Sequence, residues 1–211
     1  MARYHGPICR VCRRESKKLF LKGDRCHGPK CSFERKAYPP GSQGQGRGRR
    51  VKVSEYGHQL REKQKIRGTY GLGERQFRRF FSEAQRSKGV TGDLLMQLLE
   101  CRLDNVVYRM GFASSRRQAR QLIRHRHFLV NDRIVDIPSY CLEPSDVIRV
   151  KERSKRLGAV HAAMQKVHEG KTVPYLSLDK AKMEGIFLER PNRADIPFDV
   201  SEQLVVELYS R

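Results

Sequence analysis

Apolar side chains recur along this chain with more than one beat, and the changes of beat mark out its elements. In "GERQFRRFFSEAQRSKG", Phe77, Phe80, Phe81 and Ala84 fall at i, i+3, i+4 and i+7, one face of an amphipathic helix. Arg75, Arg79 and Arg86 line another face. Thr91 or Asp93 starts the next segment, "LLMQLLECRLDNVVYRM", in which Leu95, Leu98, Leu99, Leu103, Val106 and Met110 keep the helical period until Gly111 ends it. Upstream of both, Ser54 is placed to cap "EYGHQLREKQKIR", a polar and weakly amphipathic helix. Ser114 or Ser115 caps a short helix whose inner face is Ala119, Leu122 and Ile123. Short apolar runs follow. "HFLV" and "RIVDI" read as strands joined by Asn131-Asp132, residues that tolerate the left-handed turn of a hairpin, and "DVIRV" supplies a further strand. Ser154 opens a last helix with Leu157, Val160, Met164 and Val167 inside, closed by Gly170. "GIFLERP" and "EQLVVELYS" read as β-rich stretches separated by Pro191 and Pro197. The predicted class is α+β, mainly helical.

Residues 1–40 have no such beat and too few apolar side chains to bury a core of their own. They hold instead four of the six cysteines, spaced Cys9-x2-Cys12 and Cys26-x4-Cys31. Two close thiol pairs suit one tetrahedral ion, each pair chelating from its own turn. A segment with little core gains most from such a site, because metal binding becomes folding energy. The expectation is a metal knuckle with one structural Zn2+ on Cys9, Cys12, Cys26 and Cys31. An iron–sulfur cluster on the same thiolates is the alternative. His27, beside Cys26, could replace one ligand, though four thiols make that unnecessary. Four cysteines close a site that a catalytic metal would leave open to water, so the ion is read as a staple. It would present Arg10, Arg13, Arg14, Lys17, Lys18 and Lys22 as a fixed surface. Residues 39–50, "PPGSQGQGRGRR", read as a basic linker or arm.

Charge decides the kind of partner. The chain carries 44 Lys and Arg against 23 Asp and Glu, a net +21. Such a chain calls for a polyanion. Apolar runs stay far below the roughly 18 residues of a membrane span, and "MARYHGPICR" has no signal-peptide core. The expected compartment is therefore the cytoplasm, where thiols stay reduced and a disulfide framework is not expected. Neither a membrane nor DNA is an expected partner. Residues 1–52 hold fifteen basic and three acidic residues, whereas 185–211 hold three and five. The acidic end (Glu189, Asp195, Asp199, Glu202, Glu207) suits a basic protein neighbour, or simple packing.

The helix after Ser115 concentrates the signal. Arg116, Arg120 and Arg124 recur every four residues with Arg117 alongside, a row without interleaved acids that is expected to share one exposed side. A serine-capped helix N-terminus also attracts phosphate. Such a helix on a small hairpin reads RNA by shape and backbone.

These residues carry a resemblance. "CRLDNVVYRMGFASSRRQARQLIRHRHFLVNDRIVDIPSY" is similar to the RNA-binding module named after bacterial small-subunit ribosomal protein S-four. The four-cysteine opening, "LREKQKIRGTYGLGERQFRRFF", "GVTGDLLMQLLECRLDNVVYRMGFA" and "EQLVVELYSR" extend it to almost the whole chain. The chain is thus identified as a member of that family, of the four-cysteine type. Asp132 and Ser145 stand where the family usually has glycine, and Gly73 where an apolar residue is commoner. The cysteine spacing gives a metal-binding knuckle and basic arm over 1–45, and the resemblance implies a helical first domain from 46–92 plus 185–211 with an inserted small α/β RNA-binding module over 93–184. It implies primary binding of the 5′ domain of 16S rRNA, nucleation of subunit assembly, contact with small-subunit protein S-five, a place on the path by which mRNA enters, an influence on translational accuracy, and in some members repression of the cognate message. The candidate RNA contacts are Arg3, Arg10, Arg13, Arg14 and Lys22 in the knuckle; Arg47, Arg49, Arg50 and Lys52 in the arm; Arg61, Lys65, Arg67, Arg78 and Arg79 in the helical domain; and Ser114, Arg116, Arg117, Gln118, Arg120 and Arg124 in the module.

Two rivals share the module. Some pseudouridine synthases carry it, with a catalytic aspartate in Arg-Leu-Asp, matched here by Arg102-Leu103-Asp104. Leu103 and Val106 keep the core pattern, so Asp104 reads as a surface or helix-pairing carboxylate, and no segment is left for a catalytic domain of about 100–200 residues. No enzyme is expected. A free-standing RNA-binding stress or quality-control factor would need neither the basic arm nor the first domain.

Overall fold

The computed structural model describes residues 4–41, 53–166 and 173–210. The chain divides into two compact units, Met1–Gly92 with Phe198–Arg211, and Asp93–Pro197.

In the first unit, α1 (Cys9–Arg14), a single 3-10 turn (Gly23–Cys26) and α2 (Ser32–Arg35) are too short to stand alone. Two longer helices follow, α3 (Glu55–Tyr70) and α4 (Glu74–Arg86). Ser54 caps α3 as expected, its hydroxyl accepting from the Gly57 N–H at 3.2 Å. Gly71 ends the helix at φ 65, a left-handed position that costs glycine little. The buried face of α4 is the predicted one, Phe77, Phe80, Phe81 and Ala84. "EQLVVELY" is not a strand. It forms α9 (Glu202–Tyr209), which packs on α3 and stacks Tyr209 on Phe81, centroids 4.5 Å apart. Val205 and Tyr209 lie one turn apart, as do Leu204 and Leu208, and this helical spacing outweighs the β-propensity of two adjacent valines.

The second unit is an α/β layer. Its sheet has strand order β2-β1-β3-β5-β4, all neighbours antiparallel: β1 Phe128–Val130, β2 Arg133–Ile134, β3 Val147–Val150, β4 Leu176–Asp179 and β5 Glu184–Phe187. The predicted hairpin is present. Asn131 and Asp132 take φ 48 and 64, so the turn keeps its left-handed geometry without glycine, and Ser145 does the same at φ 74. Phe128, Val130, Ile148, Val150 and Phe187 face a core closed by α6 (Leu103–Arg109), α7 (Arg116–Arg124) and α8 (Gly158–Met164).

Three further expectations change. The long helix from residue 91 breaks at Cys101-Arg102, separating α5 (Thr91–Glu100) from α6. Extended backbone there lets Arg102 bridge Cys141 and lets Leu142 N–H donate to the Cys101 carbonyl at 2.9 Å. Ser154 opens no helix; it is buried against His127, and α8 starts at Gly158. Val167 and Gly170 lie outside the described residues. Finally, β5 belongs to the sheet, so the first unit resumes at Phe198 rather than at residue 185.

Candidate RNA-binding surface and cysteine knuckle

The four N-terminal cysteines sit on turns that hold them inward. Cys9 and Cys12 share α1, Cys26 closes the 3-10 turn, and Cys31 precedes α2. Cys12, Cys26 and Cys31 are buried, Cys9 is half-buried, and all four are free thiols. The Lys22 N–H donates to Cys26 Sγ at 3.3 Å, and the Leu19 N–H points at Cys12. Burial pushes the Cys12 and Cys26 thiols up, and the other cysteines add to it by charge repulsion. Among the described residues, no three His, Cys, Asp or Glu side chains stand in a ligating array as they are placed. His27 turns to a different neighbour, stacking on Phe20 with centroids 4.9 Å apart.

The candidate cations of this unit fall into two groups. Arg10, Arg14, Lys22, Arg78 and Arg79 are exposed. Others serve the fold. Arg13 Nε donates to the Tyr38 carbonyl at 2.9 Å, with its guanidinium 4.7 Å from the Tyr38 ring centroid. Arg61 pairs with buried Glu15 at 3.2 Å, Lys65 with Glu62, and Arg67 with Glu74 at 3.1 Å. Burial would push the Glu74 carboxyl up, but hydrogen bonds from Lys63 and Tyr209 and the charges of Lys63 and Arg67 hold it below the usual carboxylate range. Arg3, Arg47, Arg49, Arg50 and Lys52 lie outside the described residues.

In the second unit, α7 is capped by Ser115, whose hydroxyl accepts from the Gln118 N–H at 3.3 Å. The Gln118 side chain turns back to accept from both the Ser114 N–H and its hydroxyl at 2.7 Å. Arg117 and Arg124 are exposed. Arg116 and Arg120 are not, with side chains only 15% and 12% exposed. The expectation of one solvated arginine face is therefore corrected. Acids absent from α7 come from outside it: Arg120 pairs with Asp104 at 3.4 Å, and Arg116 lies 3.8 Å from Glu100. Arg116 Nε also donates to Asn105 Oδ1 at 2.7 Å, and its guanidinium covers the Tyr108 ring at 4.6 Å.

Of those buried carboxylates, Glu100 is the one that sequence reasoning missed. Glu100 is fully buried and accepts from Arg109 Nε and Nη2 (3.0 and 2.8 Å), Asn105 Nδ2 (2.5 Å) and Tyr175 Oη (2.8 Å). Asp104 is buried too, held by Arg102 through two hydrogen bonds of 3.0 and 2.6 Å, so it pairs helices but is not on the surface. A signal was available. Glu100 stands one turn after Met96 on the buried side of α5, where a carboxylate implies a buried partner. Beyond α7, Lys151 N–H donates to the His127 carbonyl and His127 Nδ1 meets Ser154 Oγ, both at 2.9 Å. Burial lowers the pKa of His127, and the charges of His125 and Lys151 lower it further. No helix among the described residues is long and apolar enough to cross a membrane.

Comparison with known proteins covers both units. The family model for the ribosomal protein S4/S9 N-terminal domain matches residues 3–100, and that for the S4 domain matches residues 101–148. The small ribosomal subunit proteins uS4 of Thermus thermophilus and of Syntrophobacter fumaroxidans are each 56% identical over 211 residues, and that of Geobacter metallireducens 53%, with all of each chain covered. Ribosomal structural proteins are not enzymes, so the pseudouridine-synthase reading falls. With more than half its residues identical across two domains, the chain belongs to the uS4 family of small ribosomal subunit proteins.

Proposed function

We propose that this chain, a cytoplasmic component of the small subunit, is a primary binder of the 5′ domain of 16S rRNA that nucleates subunit assembly. The observation that supports this most is the mounting of α7. Arg116 and Arg120 are held by buried carboxylates while Arg117 and Arg124 project freely. Cations fixed in advance lose less side-chain entropy on meeting phosphate, and 15% of the Arg116 side chain stays exposed. The exposed Arg10, Arg14, Lys22, Arg78 and Arg79 supply further contacts.

The knuckle is proposed to hold one structural Zn2+ on Cys9, Cys12, Cys26 and Cys31, with an iron–sulfur cluster as the alternative. Four free thiols on three adjoining turns, with peptide N–H groups aimed at two of them, fit such a donor set. The ion would replace mutual thiolate repulsion by attraction and tie α1 to α2. Contact with protein S-five, a place beside the incoming mRNA, an effect on accuracy and repression of the cognate message are further parts of this reading, supported by family membership.

The test is binding of the metal-loaded chain to a transcript of the 16S 5′ domain across a salt series. Replacing Arg116, Arg117 and Arg120 by alanine should weaken binding and lower the slope of log K against log salt by about 1 to 2, most of it from the exposed Arg117. Wild-type indifference to the transcript at physiological salt defeats the proposal.

A further inference from the structure

One surface feature of the first unit is explained neither by a core nor by charge alone. Phe20 follows the fully turned-in Leu19, yet its own side chain faces solvent, 41% exposed. Its backbone sits at φ 50, where Cβ crowds the following carbonyl and a bulky residue is a true outlier. A single exposed phenylalanine is ordinary. This one is held out by a left-handed backbone and backed by a second aromatic. The His27 ring, also exposed, stacks on it with an interplanar angle of 24°. Lys18 Nζ lies over the Phe20 ring, 5.5 Å from its centroid, and is itself held by Glu34, so an incoming base must displace this ammonium or stack on the outer face of His27. Lys22 and Arg25, both exposed, lie between Phe20 and His27 in sequence, at the turn that carries Cys26.

A stacked aromatic pair on a turn rich in exposed cations matches the chemistry of an unpaired nucleobase, whose π-face stacks while its neighbouring phosphates meet positive charge. We propose that Phe20 and His27 form a stacking platform for one unstacked base of a looped or single-stranded RNA segment, with Lys22 and Arg25 at its flanking phosphates. This deepens the rRNA-binding reading and rests on it. It assigns the knuckle a base contact in addition to phosphate contacts.

Stacking and charge part under salt. In the full, metal-loaded chain, Phe20→Ala should weaken binding to the 16S 5′-domain transcript about 5- to 150-fold with an unchanged salt slope. Lys22→Ala with Arg25→Ala should instead lower the slope by about 1 to 2. Phe20→Tyr should bind as the wild type does, and Phe20→Leu should not. The chain has no tryptophan, so Phe20→Trp places a sole indole on the platform, and its fluorescence should be quenched when the transcript binds. Folded, metal-loaded Phe20→Ala binding with wild-type affinity would overturn the inference. So would restoration by Phe20→Leu, or an indole that stays bright in the bound complex. If the wild type ignores the transcript, the rRNA reading itself fails, a result distinct from these.

Discussion

Glu100→Gln is the substitution that most directly tests how the arginine helix is held. Glutamine keeps the shape of the side chain and removes its charge. In the native module this carboxylate takes two hydrogen bonds from Arg109, one from Asn105 and one from Tyr175, all without solvent. Arg109 has only 12% of its side chain exposed, so it would remain a nearly buried cation without its counter-charge. Breaking a buried pair by removing one partner costs about 3–5 kcal/mol. Tyr175 gives a smaller figure: Tyr175→Phe removes one donor from a carboxylate that keeps its hydrogen bonds from Arg109 and Asn105, a loss of about 1 kcal/mol. Against a whole-domain stability of about 5–15 kcal/mol, the glutamine variant should remain folded but open far more often. Native-state hydrogen exchange reads this directly in the full chain, without assuming that the two units unfold together. Amides of α6 and α7 should exchange at least about 100-fold faster in Glu100→Gln, since each factor of ten corresponds to about 1.36 kcal/mol. The double variant Glu100→Leu with Arg109→Met removes this pair of charges and should recover part of that protection, the remainder being lost with the contacts that Arg116, Asn105 and Tyr175 make to the same carboxylate. An acceleration below about fivefold in Glu100→Gln would refute the claim that this carboxylate anchors the module.

Two other outcomes follow from the geometry. Elemental analysis of the purified chain should find about one zinc, lost in Cys9→Ser with Cys26→Ser; visible thiolate-to-iron absorption would point to the cluster instead, and a natively folded metal-free chain would reject both. The folded pKa of His127 is lowered by burial and further by the charges of His125 and Lys151. The unfolded chain therefore takes up the proton first, so the contribution is complete above the unfolded value of about 6.5 and is lost as pH falls below it. Hydrogen exchange of β1 and β3 should accelerate between pH 7.5 and 5.5, after correction for intrinsic rates, more in the wild type than in His127→Gln, and an equal change in both would exclude His127.

Much of the fold was legible because local chemistry and packing agree. Ser54 and Ser115 cap the helices they precede, Phe77 to Ala84 bury the face their spacing marks, and Asn131-Asp132 turn the hairpin in the left-handed geometry their side chains allow. The misses occur where a distant segment decides. Nothing local announces that Cys101-Arg102 must leave the helix; the partner is at 140–142, and pairing with it outweighs the apolar period that would otherwise continue. β4 escaped notice because Leu176–Asp179 is a strand only in company with β5.

The arginine row shows the same division at the functional surface. Its spacing revealed which cations share α7, but not which of them are free. A guanidinium beside a buried carboxylate is already partly neutralised, so phosphate must compete for it, whereas an exposed one meets phosphate at full charge. Arg116 and Arg120 are of the first kind, Arg117 and Arg124 of the second. The two kinds should divide the work. On the proposed RNA-binding reading, the exposed pair would supply most of the salt-dependent attraction, while the mounted pair would fix where that attraction is felt. The acids that impose this division, Glu100 and Asp104, lie outside the helix they control, which is why a pattern confined to α7 could not contain it.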